Sequence, residues 1–326
     1  MRLLFASLAS VGHTYPMIPL AEAARDAGHE VWFAAGEHVH APLASAGLRP
    51  FRPADVFYEI YAEDLAPEIA RLSPDLVIHG WGVPGAAIAA HRAGVPGLWH
   101  GFGRMFPDGI GLELPTRVAE ATGTHLDICP PSLQDKDFLA SARRVPVRPV
   151  PFAEPGEPPT LDRPLVYLTL GTAFGATEVL ATAVAGLARL GVTVLVAGPM
   201  APTLVDLPAN VVASAWVPQA RLLAGVDLVV HHGGSGTTLG ALAAGVPQLV
   251  LPQGADQFAN AEALLAAGAG ARLLPEETSP EAITETARTL LAPNGSEFRD
   301  AAKAVAAEIA ALPSPDEVAS ELPRLV

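Results

Sequence analysis

Cysteine is almost missing from this chain. One thiol, Cys129, in 326 residues permits neither an internal disulfide nor a cysteine-built zinc site, and a reducing compartment is the expectation. Basic side chains are scarce too. Twenty Lys and Arg stand against 34 Asp and Glu, a net charge of -14 that repels phosphate backbones and anionic lipid headgroups. Nucleic acid is excluded as an expected partner, whereas a small anion held by main-chain dipoles is not. No apolar run is long enough to span a bilayer, so no integral membrane segment is expected. The N-terminal MRLLFASLASVGHTYP holds only a short apolar run that passes into a helical pattern and not into a small-residue cleavage site. A cytoplasmic protein is the reading.

What is present is a packed chain, 50% hydrophobic and 17% charged, and longer than one core usually serves. Short apolar runs alternate with alanine-rich helical stretches, the pattern of an α/β protein with parallel strands covered by helices. The strands expected in the first half are 2–7, 30–35, 76–80 and 96–101; in the second half they are 165–170, 192–198, 210–216, 228–233 and 247–252. The units HRAGVPGLWH (91–100) and LAAGVPQLVL (242–251) echo each other and suggest two similar halves. Proline-rich 145–164 lacks helical or alternating periodicity and reads as the linker. The domains expected are therefore 1–155, with linker to about 164, and 156–326, which includes two terminal helices.

The chemistry concentrates in HHGGSGTTLGALAAGVPQLVLPQGADQFANA (231–261). A parallel strand that ends in HHGG before SGTTLGALAAG puts a helix N-terminus at 235–237, at the carboxyl edge of the sheet where open α/β sheets bind ligands. Gly233, Gly234 and Gly236 permit close approach to the backbone, Ser235 and Thr237 can cap the helix or donate hydroxyl hydrogen bonds, and free N–H groups attract an anion. The glycine spacing fits no dinucleotide fingerprint, and no Gly-Lys precedes the hydroxyls as a Walker loop requires. His232 stands in that lysine's place as a metal-free phosphate donor, while His231 reads as structural. Asp256 and Gln257 follow at the next strand-to-helix junction, where Asp256 can cap the helix or the pair can hold vicinal hydroxyls. Trp216, in AWVPQARLL, is a candidate for stacking on a base.

The series Trp216-x-Pro218-Gln219, HHGGSGTT, GVPQLVLPQ and GADQFANA, with LTLGTAFG at 168–175, resembles the donor-site signature of inverting GT-B natural-product glycosyltransferases of the antibiotic type, UDP-glycosyltransferase-like proteins. The likeness runs through nearly all of 160–310. It implies a GT-B fold, two Rossmann-like domains with parallel sheets facing across a cleft. It further implies that Trp216 stacks on the base, that His232 meets the diphosphate and that Gln219 is a donor-binding residue. Gly234, Ser235, Gly236, Thr237 and Thr172 would cradle that diphosphate, and Asp256 with Gln257 would hold the sugar. The donor it implies is a dTDP- or UDP-sugar acting as co-substrate, with no metal and no other cofactor, and the acceptor it implies is a small hydrophobic natural product.

The opening FASLASVGHTYPMIPLAEAARDAGHEV is similar to the family's N-terminal start, whose Gly-His histidine is the general base; here that is His13, at a helix N-terminus that should keep it neutral. Two departures follow. The family orients this base with an acidic residue at the end of the strand corresponding to LVIHG, where this chain has Gly80, so Asp108, Glu113 or Glu59 has to fill in or the activity is weak. Segments 48–73 and 101–124 are also short for acceptor-binding elements. The alternative reading is a weak or inactive homologue that serves as a nucleotide-binding or auxiliary partner protein. A sugar-nucleotide epimerase lacks the extra acid and base groups it would need. A homodimer is left open.

Overall fold

In the computed structural model, residues 1–54, 60–105, 123–171 and 177–326 are described. Two units divide them: Met1–Phe152 with Ala311–Val326, and Ala153–Ala310.

The first unit holds strands β1 (Arg2–Ala6), β2 (Glu30–Ala34), β3 (Pro50–Phe51), β4 (Leu76–Gly80), β5 (Gly97–His100), β6 (Thr124–Asp127) and β7 (Arg144–Pro146). They pair in the order β3-β2-β1-β4-β5-β6-β7, parallel throughout. The second unit runs β8 (Leu165–Thr169), β9 (Thr193–Ala197), β10 (Val211–Ser214), β11 (Leu228–His231), β12 (Gln248–Val250) and β13 (Gly270–Arg272), ordered β10-β9-β8-β11-β12-β13. Both sheets start in the middle, wind outward one way, and then return to wind outward the other. The strand order therefore reverses between β1 and β4 and between β8 and β11, the two crevices where such sheets bind ligands.

Both faces of each sheet are buried, which is why the strands read as continuous apolar runs and not as alternation. In the second unit Val166, Leu168, Val194, Val196, Leu228 and Val230 pack with helices Thr177–Leu187 and Pro280–Leu291. Leu165, Tyr167, Leu195, Ala197 and Val229 form the opposite layer with Leu222, Leu223 and Ala241. In the first unit Leu4, Ala6 and Val77 pack with Leu65, Ile69, Ala86 and Ala89 of helices Ala62–Leu72 and Pro84–Arg92.

Several expectations are corrected. The segment 145–164 is not linker from its start, because β7 pairs with β6 through Arg144 to Pro146. The terminal helices do not all belong with the second half. A third one, Pro315–Glu321, packs on helix Ile18–Asp26, burying Pro315, Val318, Ala319 and Leu322. Arg148 fastens its approach, donating from its main chain to Pro313 O (2.7 Å) and from Nε to Leu312 O (3.1 Å). Strand β10 ends at Ser214, so Trp216 stands in the turn after the strand and not at its end. Of the two short segments, 55–59 and 106–122 lie outside the described residues, and with them Glu59, Asp108 and Glu113.

Candidate functional site

At the second unit's crevice, β11 delivers two adjacent histidines with opposite tasks. His231 is buried and fixed: its Nε2–H donates to Gln248 Oε1 (2.8 Å), and its Nδ1 accepts from Gly233 N–H (3.1 Å). This is the structural histidine that the sequence suggested. His232 is half-buried, and its ring lies between two backbones. A Cβ on Gly171 would come within 2.6 Å of its Cε1, and one on Gly234 within 2.5 Å of its Nε2. Only glycine at both positions leaves the imidazole its place, and Gly171 also has φ +73, where a side chain is strained. Burial drops the His232 pKa to about 4, so the ring is neutral and can donate one N–H to an anion.

Beyond it, helix Ser235–Ala243 begins with Gly234 as N-cap and no side-chain cap. The N–H groups of its first turn have no partner inside the helix. Gly236 is exposed with open space where a Cβ would stand, whereas Thr237 is buried. Ser235 does not cap its own helix. Its Oγ donates to Asp256 Oδ2 (2.9 Å), joining this glycine-rich loop to the next junction. Asp256 precedes helix Gln257–Ala266 without capping it through its side chain, so the plain capping role is not what its carboxylate does. Burial pushes that carboxyl up against the hydrogen bonds from Ser235 and Asn260 that hold it down.

Asn260 is a residue the sequence reading passed over. Its Nδ2 donates to Gly233 O (2.9 Å), Ser235 Oγ (3.1 Å) and Asp256 Oδ2 (2.8 Å), linking both loops from one buried amide. The signal was available, since Asn260 lies four residues after Asp256 on one helix face. Gln257 is turned inward, 1% exposed, with its Oε1 accepting from Gln253 N–H (2.8 Å) and Gly254 N–H (3.2 Å). Its carbonyl thus holds the loop in shape. Gln219 begins helix Gln219–Leu222 and accepts at Oε1 from Tyr167 Oη (3.1 Å). Trp216 is 47% exposed and donates from Nε1 to Glu154 Oε2 (2.7 Å). Thr172 lies outside the described residues.

At the first unit's crevice, His13 follows β1 in the helical turn Val11–Thr14. Its ring packs against Phe102 (centroids 5.1 Å apart, planes at 32°), and Trp81 lies 5.7 Å from Phe102. Desolvation by burial lowers its pKa to about 4. The neutrality expected from a helix terminus is therefore caused instead by exclusion of water. Nδ1 is buried, and among the described residues it has no hydrogen-bond partner. A Cβ on Gly80 would meet Met17 Sδ at 3.3 Å, with His13 not among its nearest neighbours. The position aimed toward His13 is Gly82, 3.5 Å from Cδ2, and there Leu8 already fills the space.

Comparison with known proteins agrees with this geometry. Residues 181–325 match the C-terminal domain of the erythromycin biosynthesis protein CIII-like family. L-demethylnoviosyl transferase of Streptomyces niveus is 34% identical, and elloramycin glycosyltransferase ElmGT of Streptomyces olivaceus 33%, each over 99% of this chain and 97% of its own length. These alignments run over 379 and 381 positions, more than the chain's 326 residues, so both relatives carry inserts that it lacks. Spinosyn rhamnosyltransferase SpnG superposes with a TM-score of 0.83 at 27% identity, covering 100% of this chain and 99% of that one. Structures of SpnG hold thymidine diphosphate in one case and the spinosyn aglycone in another. Among the described residues no helix is long and apolar enough to cross a membrane. With near full-length identity above 30% and two parallel sheets in the same switched order, the chain is a GT-B glycosyltransferase and belongs to the antibiotic-type natural-product glycosyltransferase family.

Proposed function

We propose that this glycosyltransferase moves a deoxyhexose from a dTDP- or UDP-sugar to a hydroxyl of a hydrophobic natural product, with inversion and without a metal. The observation that carries the reading is the seat at His232: a neutral imidazole wedged between Gly171 and Gly234, next to a helix N-terminus that begins without a side-chain cap. Leaving-group charge developing on a diphosphate is met there by oriented N–H dipoles, which is what a divalent cation would otherwise supply. SpnG, a rhamnosyltransferase of the same fold, holds thymidine diphosphate, which supports the nucleotide class.

In the reaction His13 removes the proton from the acceptor hydroxyl, and the oxygen attacks the anomeric carbon as its bond to the diphosphate breaks. Configuration inverts, and nucleoside diphosphate departs on the N–H groups and His232 of the second unit. Trp81 and Phe102 offer an apolar, aromatic wall beside the base for a hydrophobic acceptor. Among the described residues nothing pairs with Nδ1, and an imidazolium that forms without such a partner slows turnover without removing the base. For that reason the reading as an inactive auxiliary protein gains nothing from Gly80.

Calorimetry with dTDP and UDP tests the donor half, and turnover in the presence of EDTA tests the metal. His13→Ala should keep its nucleotide affinity while turnover falls about 100-fold or more, the usual share of a general base. Unchanged turnover overturns the base, and no heat from either nucleotide overturns the whole reading.

A further inference from the structure

Trp216 is held from a distant part of the chain. It stands two residues past the end of β10 with nearly half its surface in solvent. What fixes it comes from 62 residues earlier in the chain. The indole N–H donates to Glu154 Oε2 at 2.7 Å, and Gly156 lies so close to the ring that a Cβ there would meet Cη2 and Cζ3 at 3.3 Å. Gly156 has φ +130, a conformation other residues rarely adopt. The segment is itself tied down: Arg221 Nη1 donates to Gly156 O (3.0 Å) and to Glu157 Oε1 (2.5 Å), and Arg221 lies on the same short helix as Gln219.

We infer that Glu154 is a positioning residue for the donor nucleotide: with Gly156 and Arg221 it holds the Trp216 ring in the orientation that the nucleobase stacks on. This rests on the donor reading above. A half-exposed indole free to turn about two torsions must be ordered each time a base lands on it, and a brace that orders it beforehand removes that cost from binding. Glu154 touches neither sugar nor diphosphate in this role. Its effect belongs to the base end of the ligand alone.

The test compares two probes, dTDP and inorganic pyrophosphate, the second of which fills the diphosphate seat and leaves the base platform empty. For Glu154→Ala, loss of one hydrogen bond to a charged group predicts dTDP affinity weakened about two- to tenfold, with the donor KM rising by the same factor and kcat unchanged within about twofold. Pyrophosphate inhibition should stay at the wild-type level. Glu154→Gln, which keeps an acceptor oxygen, should recover most of the loss, and Gly156→Ala should reproduce it. If Trp216→Ala weakens dTDP about tenfold or more while Glu154→Ala binds like wild type, the brace is wrong and the donor reading stands. Equal weakening of dTDP and pyrophosphate in Glu154→Ala also overturns the brace, since the damage is then general. If Trp216→Ala itself binds dTDP as tightly as wild type, the stacking assignment fails and the inference falls with it.

Discussion

At the scale of single residues, His13 carries the sharpest consequence. An imidazole works as a base only when neutral, and burial against Phe102 brings its pKa to about 4 from an ordinary 6.5. A group lowered in this way stays deprotonated down to acid pH. The acid limb of kcat/KM should therefore bend near pH 4 and not near 6.5, leaving activity flat through the neutral range. Phe102→Ala admits water to the ring, and the limb should move up toward 6.5 while the fold persists, since Phe102 is only half-buried. A limb that stays near 4 in this variant would assign the lowering to some other neighbour. The same low value is a handicap for chemistry, because a base is most effective with a pKa near the working pH, and among the described residues Nδ1 has no partner to steady the charge the ring acquires.

At the scale of elements, both crevices are made by strand ends at which the winding direction reverses, and the close fit around His232 shows what those ends must be built from. Gly234→Ala puts a methyl about 2.5 Å from Nε2, so the ring has to leave its position or the helix start has to shift. Nucleotide affinity should drop about tenfold or more, with little change in melting temperature because the ring is at the rim and not in the core. Titration of this variant with dTDP checks it, and wild-type affinity would mean that His232 does not set the seat. The grouping of residues around this loop was legible in the sequence because it is local: HHGG, SGTT and GADQFANA each place their groups within a turn of a strand end. Asn260 was legible in principle by its spacing from Asp256. The brace on Trp216 was not, since no local pattern joins Glu154 to a ring 62 residues later. Strands β6 and β7 also escaped, being four and three residues long and bearing His125, Asp127 and Arg144 where an apolar run was sought. Asp127 is buried nonetheless, its charge met by Gln134 Nε2 (2.9 Å), Cys129 N–H (3.0 Å) and Arg144 (3.3 Å). That is tertiary satisfaction, invisible to hydropathy.

At the scale of the whole molecule, the histidines couple folding to pH. His79, His100 and His125 are buried in the first unit, where His13 is half-buried; the second unit has His231 and His232. Desolvation by burial lowers all six, to about 4 for His13, His79, His100 and His232 and to about 3 for His125 and His231. The folded state keeps these rings neutral, whereas the unfolded chain takes up their protons below about 6.5. Stability is thus full above pH 6.5 and is lost as pH falls from there toward 4, by up to about 1.4 kcal/mol per pH unit for each ring. Burial raises the carboxyl pKa of Glu22 and Asp127 in the first unit and Asp256 in the second, which works in the opposite sense, but only near the carboxylate range. Against a typical domain stability of about 5–15 kcal/mol, four rings outweigh two, so the first unit should unfold first on acidification. Scanning calorimetry at pH 7.5 and 5.5 should show one transition shifting down strongly and a second shifting less. His125→Leu should blunt the larger shift: among the described residues neither ring nitrogen of His125 has a hydrogen-bond partner, so the substitution removes a proton site without stranding one of them. Transitions that stay put between those two pH values would mean that the buried rings are solvated, and with them the low pKa of His13 would have to be given up.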